Sequence, residues 1–156
     1  MNKKLIFALK FFVIYAVIQF LIYAIDLSFL ENFIAELIGN ALGLQVIANN
    51  IFFNETVYLI QPNCTGLVSA GILFAVVFSL KKPEIKLKSV IFLIGAIFLL
   101  LINLLRIYFV VLMGILFDLA ELTHIISWFA MTAFILIAWF YLTKKIAKIN
   151  EFEGFI

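Results

Sequence analysis

Four long apolar runs, separated by short polar breaks, dominate this chain of 156 residues and dictate its solvent. A helix crossing a bilayer needs about 20 mostly apolar residues, within a range of about 17–25. Leu5 to Ile25 has that length, interrupted by Lys10 and Gln19 and closed by Asp26. No small-residue cleavage site follows it, and it is too long for the apolar part of a signal peptide, so it reads as a retained anchor. Thr65 to Leu80 is shorter and is followed by the abrupt polar run Lys81-Lys82-Pro83-Glu84. The third run opens at Ser89 and is assigned as a span over 89–112. It stays apolar to Phe117, longer than a bilayer requires, so it either protrudes or changes character near Gly114. The fourth, Ile125 to Leu142, ends at Thr143-Lys144-Lys145. The pattern predicts an all-α integral membrane protein with about four transmembrane helices.

Composition points the same way. Hydrophobic residues make up 67% of the chain and charged residues 13%, against about 45–50% and about 25% in soluble domains. A water-soluble enzyme, a disordered chain and a secreted disulfide scaffold are excluded. One Cys and one His rule out an intrachain disulfide, a CxxC redox pair and a Cys/His zinc cluster. There is no phosphate loop, basic nucleic-acid patch or metal-ligand cluster, so no cofactor, metal or nucleic-acid partner is expected.

The lysines orient the chain. Lys3, Lys4 and Lys10 flank the start, Lys81, Lys82, Lys86 and Lys88 fill the 81–88 loop, and Lys144, Lys145 and Lys148 follow the last span. Four spans put these segments on one side, which the positive-inside rule makes the cytoplasm. Both termini and the tail 143–156 are therefore expected there, in a multi-pass protein of the cell membrane. The opposite side receives residues 26–64 and the 117–124 connection, with acids at Asp26, Glu31, Glu36, Glu55, Asp118 and Glu121 and no lysine.

The outer segment 26–64 divides in two. Ser28 with Glu31 reads as a capping box. Leu30, Phe33, Ile34, Leu37, Ile38 and Ala41 then follow helical spacing opposite Glu31, Glu36 and Asn40, until Gly43 supplies a stop. Such a helix is too short to span and is expected at the outer interface or over the other helices. Two β-prone runs, around Val46–Phe53 and Thr56–Ile60, flank Asn54-Glu55 and read as a short hairpin before the Cys. Asn54-Glu55-Thr56 is also a glycosylation sequon.

Three polar singletons fall at one depth. Cys64 precedes Lys81 by 17 residues, Arg106 follows Ser89 by 17, and His124 precedes Lys144 by 20. At about 1.5 Å per residue these are about 25, 25 and 30 Å, close to the far side of a core about 30 Å thick. Three helices thus bring the only Cys, the only Arg and the only His to one level. The set suits a cysteine nucleophile: a thiolate is the attacking species, and a helix N-terminus, Arg or His⁺ favours it. Asn63 is placed to cap the second span with Cys64 in its first turn, and the N–H groups of Cys64, Thr65 and Gly66 are candidates for an oxyanion site. His124 is the candidate acid/base. Arg106 offers a fork of donors to a carboxylate or oxyanion. Asn103, one turn earlier, is placed to orient Arg106 or a substrate carbonyl, and Glu121 to orient the His124 imidazole. The bland alternatives are a packing Cys, a satisfied interfacial His, a snorkelling Arg and an Asn that glues helices.

Pro62-Asn63-Cys64-Thr65-Gly66-Leu67, Asn103-Leu104-Leu105-Arg106 and Thr123-His124 resemble the motifs of the exosortase/archaeosortase family of membrane cysteine transpeptidases, over roughly residues 44–142. The resemblance implies Cys64 as nucleophile, Arg106 as oxyanion or substrate-carboxyl partner and His124 as general acid/base. It also implies substrates with a C-terminal sorting signal: a Pro-containing motif, an apolar helix and a basic tail. Cleavage would pass through a thioester acyl-enzyme, with transfer to an acceptor, expected to be lipid-linked. The resemblance implies, for a chain this short, a small archaeosortase-like member or a minimal exosortase. Two other readings stay open: an intramembrane cysteine hydrolase without an acceptor, and a non-enzymatic assembly protein that docks through its outer helix and hairpin. A thiol–disulfide oxidoreductase is disfavoured, because one Cys cannot form the internal pair.

Overall fold

The first apolar run folds as helix α1, Lys3–Ala24. The computed structural model describes residues 3–147, so residues 148–156 of the tail expected at 143–156, Lys148 among them, lie outside the described residues. The fourth run forms α5, Ala120–Ala147, which extends beyond the predicted 125–142 at both ends and takes in Thr143, Lys144 and Lys145. The third run forms α4, Ile85–Phe117, a single helix of 33 residues. It is about 50 Å long against a bilayer core of about 30 Å. The helix runs unbroken through Gly114, where a Cβ would collide with the Tyr58 hydroxyl. Helices α1, α4 and α5 are each long and apolar enough to cross a membrane.

The second run behaves differently. Its helix α3 is Leu67–Ser79, 13 residues, or about 20 Å. Gly66 bounds its N-terminus with φ +85°, and Leu80 leaves its C-terminus extended. Helix α3 packs against α1, α4 and α5, and eight of its residues are buried. Lys88 lies within α4, where its buried Nζ donates to the Leu80 carbonyl at 2.5 Å. The lysine predicted as a solvated loop charge thus satisfies a backbone acceptor just past the end of α3.

Helix α2, Ser28–Leu42, precedes a three-stranded antiparallel sheet: β1 Gln45–Ile47, β2 Asn50–Phe53 and β3 Thr56–Leu59, in that order. The first β-prone run is two strands, reversed at Ala48-Asn49 with Ala48 at φ 55°. β2 and β3 pair in the register Phe53↔Thr56, with Asn54-Glu55 between them. The capping box does not form. Leu27 is the N-cap without a side-chain bond, and the Ser28 N–H donates to Asp26 Oδ1 at 2.9 Å, which holds the Asp26 carboxyl below its ordinary pKa. Glu31, freed from that role, is buried and accepts from Asn49 Nδ2 at 3.1 Å; the same amide donates to the Ile60 carbonyl at 3.0 Å. Helix α2 is consequently rotated from its predicted face. Ile34, Ala35 and Ile38 are buried, while Phe29, Phe33 and Leu37 form an exposed apolar stripe. Gly43 ends the helix at φ 68°, with the Leu44 N–H on the Gly39 carbonyl.

Two apolar cores result. One joins α3, α4 and α5 through Leu73, Val77, Ile91, Leu99, Met131 and Ile135. The other seats α2 and the sheet on the C-terminal half of α4 through Ile34, Ile38, Ile51, Ile60, Ile107 and Val111. Residues 100–106 of α4 pass between the two.

Candidate active site

Cys64 closes a 3₁₀ turn, Pro62–Cys64, instead of opening a transmembrane helix. Pro62 fixes the start of the turn. Thr65 secures its end, donating from Oγ1 to the Pro62 carbonyl at 2.6 Å and receiving the Leu67 N–H at 3.4 Å. Gly66 at φ +85° then swings the chain into α3, a conformation that costs a residue with a Cβ about 1–2 kcal/mol. A Cβ here would also lie 3.1 Å from Asn103 and from Leu100. The glycine is required twice, by its backbone and by its neighbour.

Two sequence expectations change as a result. Asn63 does not cap a helix: Gln61 is the N-cap of the turn, without a side-chain bond, and Asn63 Oδ1 accepts from the Tyr23 hydroxyl at 2.6 Å, tying the turn to α1. The N–H groups of Cys64 and Thr65 are already committed to the carbonyls of Gln61 and Pro62, at 2.8 and 3.2 Å. Of the three proposed oxyanion donors, only the Gly66 N–H keeps no such backbone acceptor among the described residues.

Asn103 does not orient Arg106. Its Nδ2 donates to the Cys64 carbonyl at 2.6 Å, and the residue is 2% exposed. A buried amide on α4 thus fixes the position of the Cys64 backbone, which leaves the thiol partly exposed and free.

Arg106, one turn further along α4, is 8% exposed. Its Nε is buried without a hydrogen-bond partner, and its guanidinium carbon lies 5.5 Å from the centre of the Trp128 ring. It is close enough to interact electrostatically with both Cys64 and His124. Among the described residues no carboxylate pairs with this buried guanidinium, an arrangement that is costly in an apolar surround, and the side chain borders a cavity.

That cavity, of about 330 Å³, is lined by Cys64, Arg106, His124 and Glu121, with β3 residues Val57 to Leu59 and α4 residues Ile107, Val110 and Val111 forming walls. The three singletons therefore share one cavity. Glu121 lines it but makes no hydrogen bond to His124 among the described residues. The imidazole partner is Trp128, whose Nε1–H donates to His124 Nε2 at 2.9 Å. Sequence reasoning missed Trp128, although its place four residues after His124 was the available signal. It also missed Tyr58, which lines the same cavity and whose phenol burial, with the Asp118 charge second, holds above its ordinary pKa.

Arg106 also borders a second, nearly wholly apolar groove of about 290 Å³ between α4 and α5, lined by Ile102, Leu105, Phe109, Met131 and Phe134 among others. Arg106 thus borders both the cavity that holds Cys64 and His124 and the apolar groove beside it. The described residues hold no group of three or more His, Cys, Asp or Glu side chains able to bind a metal. No family model matches this chain, and neither a curated protein nor a solved structure does.

Proposed function

We propose that the chain is a membrane-embedded cysteine transpeptidase similar to the exosortase/archaeosortase family, acting on the C-terminal sorting signal of an exported protein. The observation that carries this reading is the single cavity shared by Cys64, Arg106 and His124. Its volume suits a short peptide segment, and the adjoining apolar groove suits the apolar helix that follows the cleaved motif or the chain of a lipid acceptor. The membrane arrangement belongs to the same proposal. Residues 62–80, with α3 at their centre, act as a fourth crossing segment, and the lysine distribution supports cytoplasmic termini with an extracytoplasmic site.

The chemistry follows from the groups present. His124 takes the proton from Cys64 Sγ, and the thiolate attacks the carbonyl carbon of the scissile peptide. Negative charge developing on the oxygen is met by Arg106 and the Gly66 N–H. The C–N bond breaks, His124 returns its proton to the departing amine, and a thioester remains on Cys64. An acceptor amine or hydroxyl then attacks the thioester; its proton passes through His124 to the released Cys64 sulfur.

The test is a reporter protein ending in a Pro-containing motif, an apolar helix and basic residues, expressed beside this chain. The wild type shortens it, and Cys64→Ala at equal abundance leaves it intact; full processing by Cys64→Ala would overturn the reading. Mass spectrometry of the new C-terminus separates transfer, which adds mass, from hydrolysis, which leaves a free carboxylate.

A further inference from the structure

Trp128 touches both polar groups that face Cys64. It follows His124 by four residues on α5, so the two side chains share a helix face. Its indole N–H reaches His124 Nε2 at 2.9 Å, and its ring lies 5.5 Å from the Arg106 guanidinium carbon. An indole N–H can only donate. Nε2 must therefore present its lone pair, and while this bond stands the ring is the neutral imidazole with its proton on Nδ1. An unconstrained imidazole in water prefers the other tautomer, with the proton on Nε2. The ring face meanwhile covers a cation whose Nε has no other partner, the arrangement a π-system stabilises.

We infer that Trp128 is a positioning residue of the site, holding His124 in its Nδ1-protonated tautomer through the indole N–H and seating Arg106 against its ring. The contact stands by itself; its meaning for catalysis rests on the proposed reading of His124 as proton carrier. In the resting site the nitrogen with the free lone pair is occupied by Trp128, so Nε2 can take the Cys64 proton only once the indole lets go. Trp128 is 37% exposed, which leaves the indole room to move. The charged and titratable groups lining the same cavity are Cys64 from the 3₁₀ turn, Tyr58 from β3, Arg106 from α4 and Glu121 from α5 itself. None of them makes a hydrogen bond to Nε2 among the described residues.

His124 is the only histidine, so a protein labelled with ¹⁵N-histidine, and purified without a histidine tag, gives one imidazole spectrum. In lipid nanodiscs, at a pH where the ring is neutral, the wild type should show a protonated Nδ1 and a pyridine-like Nε2. Trp128→Phe keeps an aromatic face for Arg106 and removes the donor; it should lose the Nδ1–H signal in favour of Nε2–H. A wild type already in the Nε2–H form would overturn the assignment, as would a Trp128→Phe spectrum unchanged from the wild type. If Trp128→Phe fails to fold, the wild-type spectrum alone decides. The measurement uses no substrate, so an enzyme that leaves every reporter intact would strike the proposed function and not this inference.

Discussion

The side-chain amide of Asn103 donates to the Cys64 carbonyl at 2.6 Å, from the turn of α4 that precedes Arg106. This bond joins the 3₁₀ turn that carries Cys64 to the longest helix. Asn103→Leu removes the donor and leaves the Cys64 carbonyl without it. A net loss of about 1–3 kcal/mol is expected, read as a lower unfolding temperature in micelles. Processing should fall at least about tenfold at equal abundance, because about 1.4 kcal/mol of misplacement already costs that much. Unchanged processing with lowered stability would make Asn103 a packing residue only.

Gly66→Ala and Gly43→Ala form a matched pair. Both positions have positive φ, at +85° and +68°, but only Gly66 has neighbours within 4 Å of a new Cβ. Gly43→Ala should cost about 1–2 kcal/mol of backbone strain. Gly66→Ala should cost more, since Asn103 and Leu100 must also give way, and it should reduce processing where Gly43→Ala does not. Denaturation of the two variants side by side reads the difference.

Arg106 is called on for charge and for its fork of donors, so Arg106→Lys is not a conservative change. It should leave the protein folded and inserted while lowering processing by about 10²-fold or more, in the range seen when one preorganised oxyanion donor is removed. Recovery of wild-type processing by Lys would reduce the role of Arg106 to a point charge.

Tyr58 gives a pH signature. Burial, with Asp118 second, raises its phenol above the ordinary value of 10.0. The folded state thus retains a proton that the unfolded chain loses near that value. Its contribution is complete below about pH 10 and is lost as pH rises through the folded pKa. Unfolding followed between pH 9 and 12 should show an alkaline loss of stability that is smaller in Tyr58→Phe. Identical slopes in the two proteins would contradict the assignment.

Much of the site was legible because polar residues are scarce. Counting residues from the lysine boundaries brought Cys64, Arg106 and His124 to one depth, and the structure gives them one cavity. Helices α1, α4 and α5 were legible for the same reason, since an apolar run of membrane length leaves few alternatives. What escaped depends on partners distant in sequence. The acceptor for Asn103 lies 39 residues away, and the donor to Glu31 lies 18 away, so local spacing pointed Asn103 at Arg106 and Glu31 at a capping box with Ser28. The separate turn that carries Cys64 follows from the backbone angle at Gly66, which composition does not encode. Trp128 was hidden by abundance: in a chain with 19 Phe, 5 Tyr and 2 Trp, its place one helical turn after His124 was a signal easily lost among the other aromatic positions.

The proposed function requires a thioester between Cys64 and the sorting signal of the substrate. Intact-mass spectrometry of the purified chain, after brief co-expression with the reporter, detects that thioester. An adduct equal to the reporter fragment is expected on Cys64, released by neutral hydroxylamine and absent from Cys64→Ala. A reporter processed at the wild-type rate by Cys64→Ala, with no adduct on the wild-type chain, would contradict it.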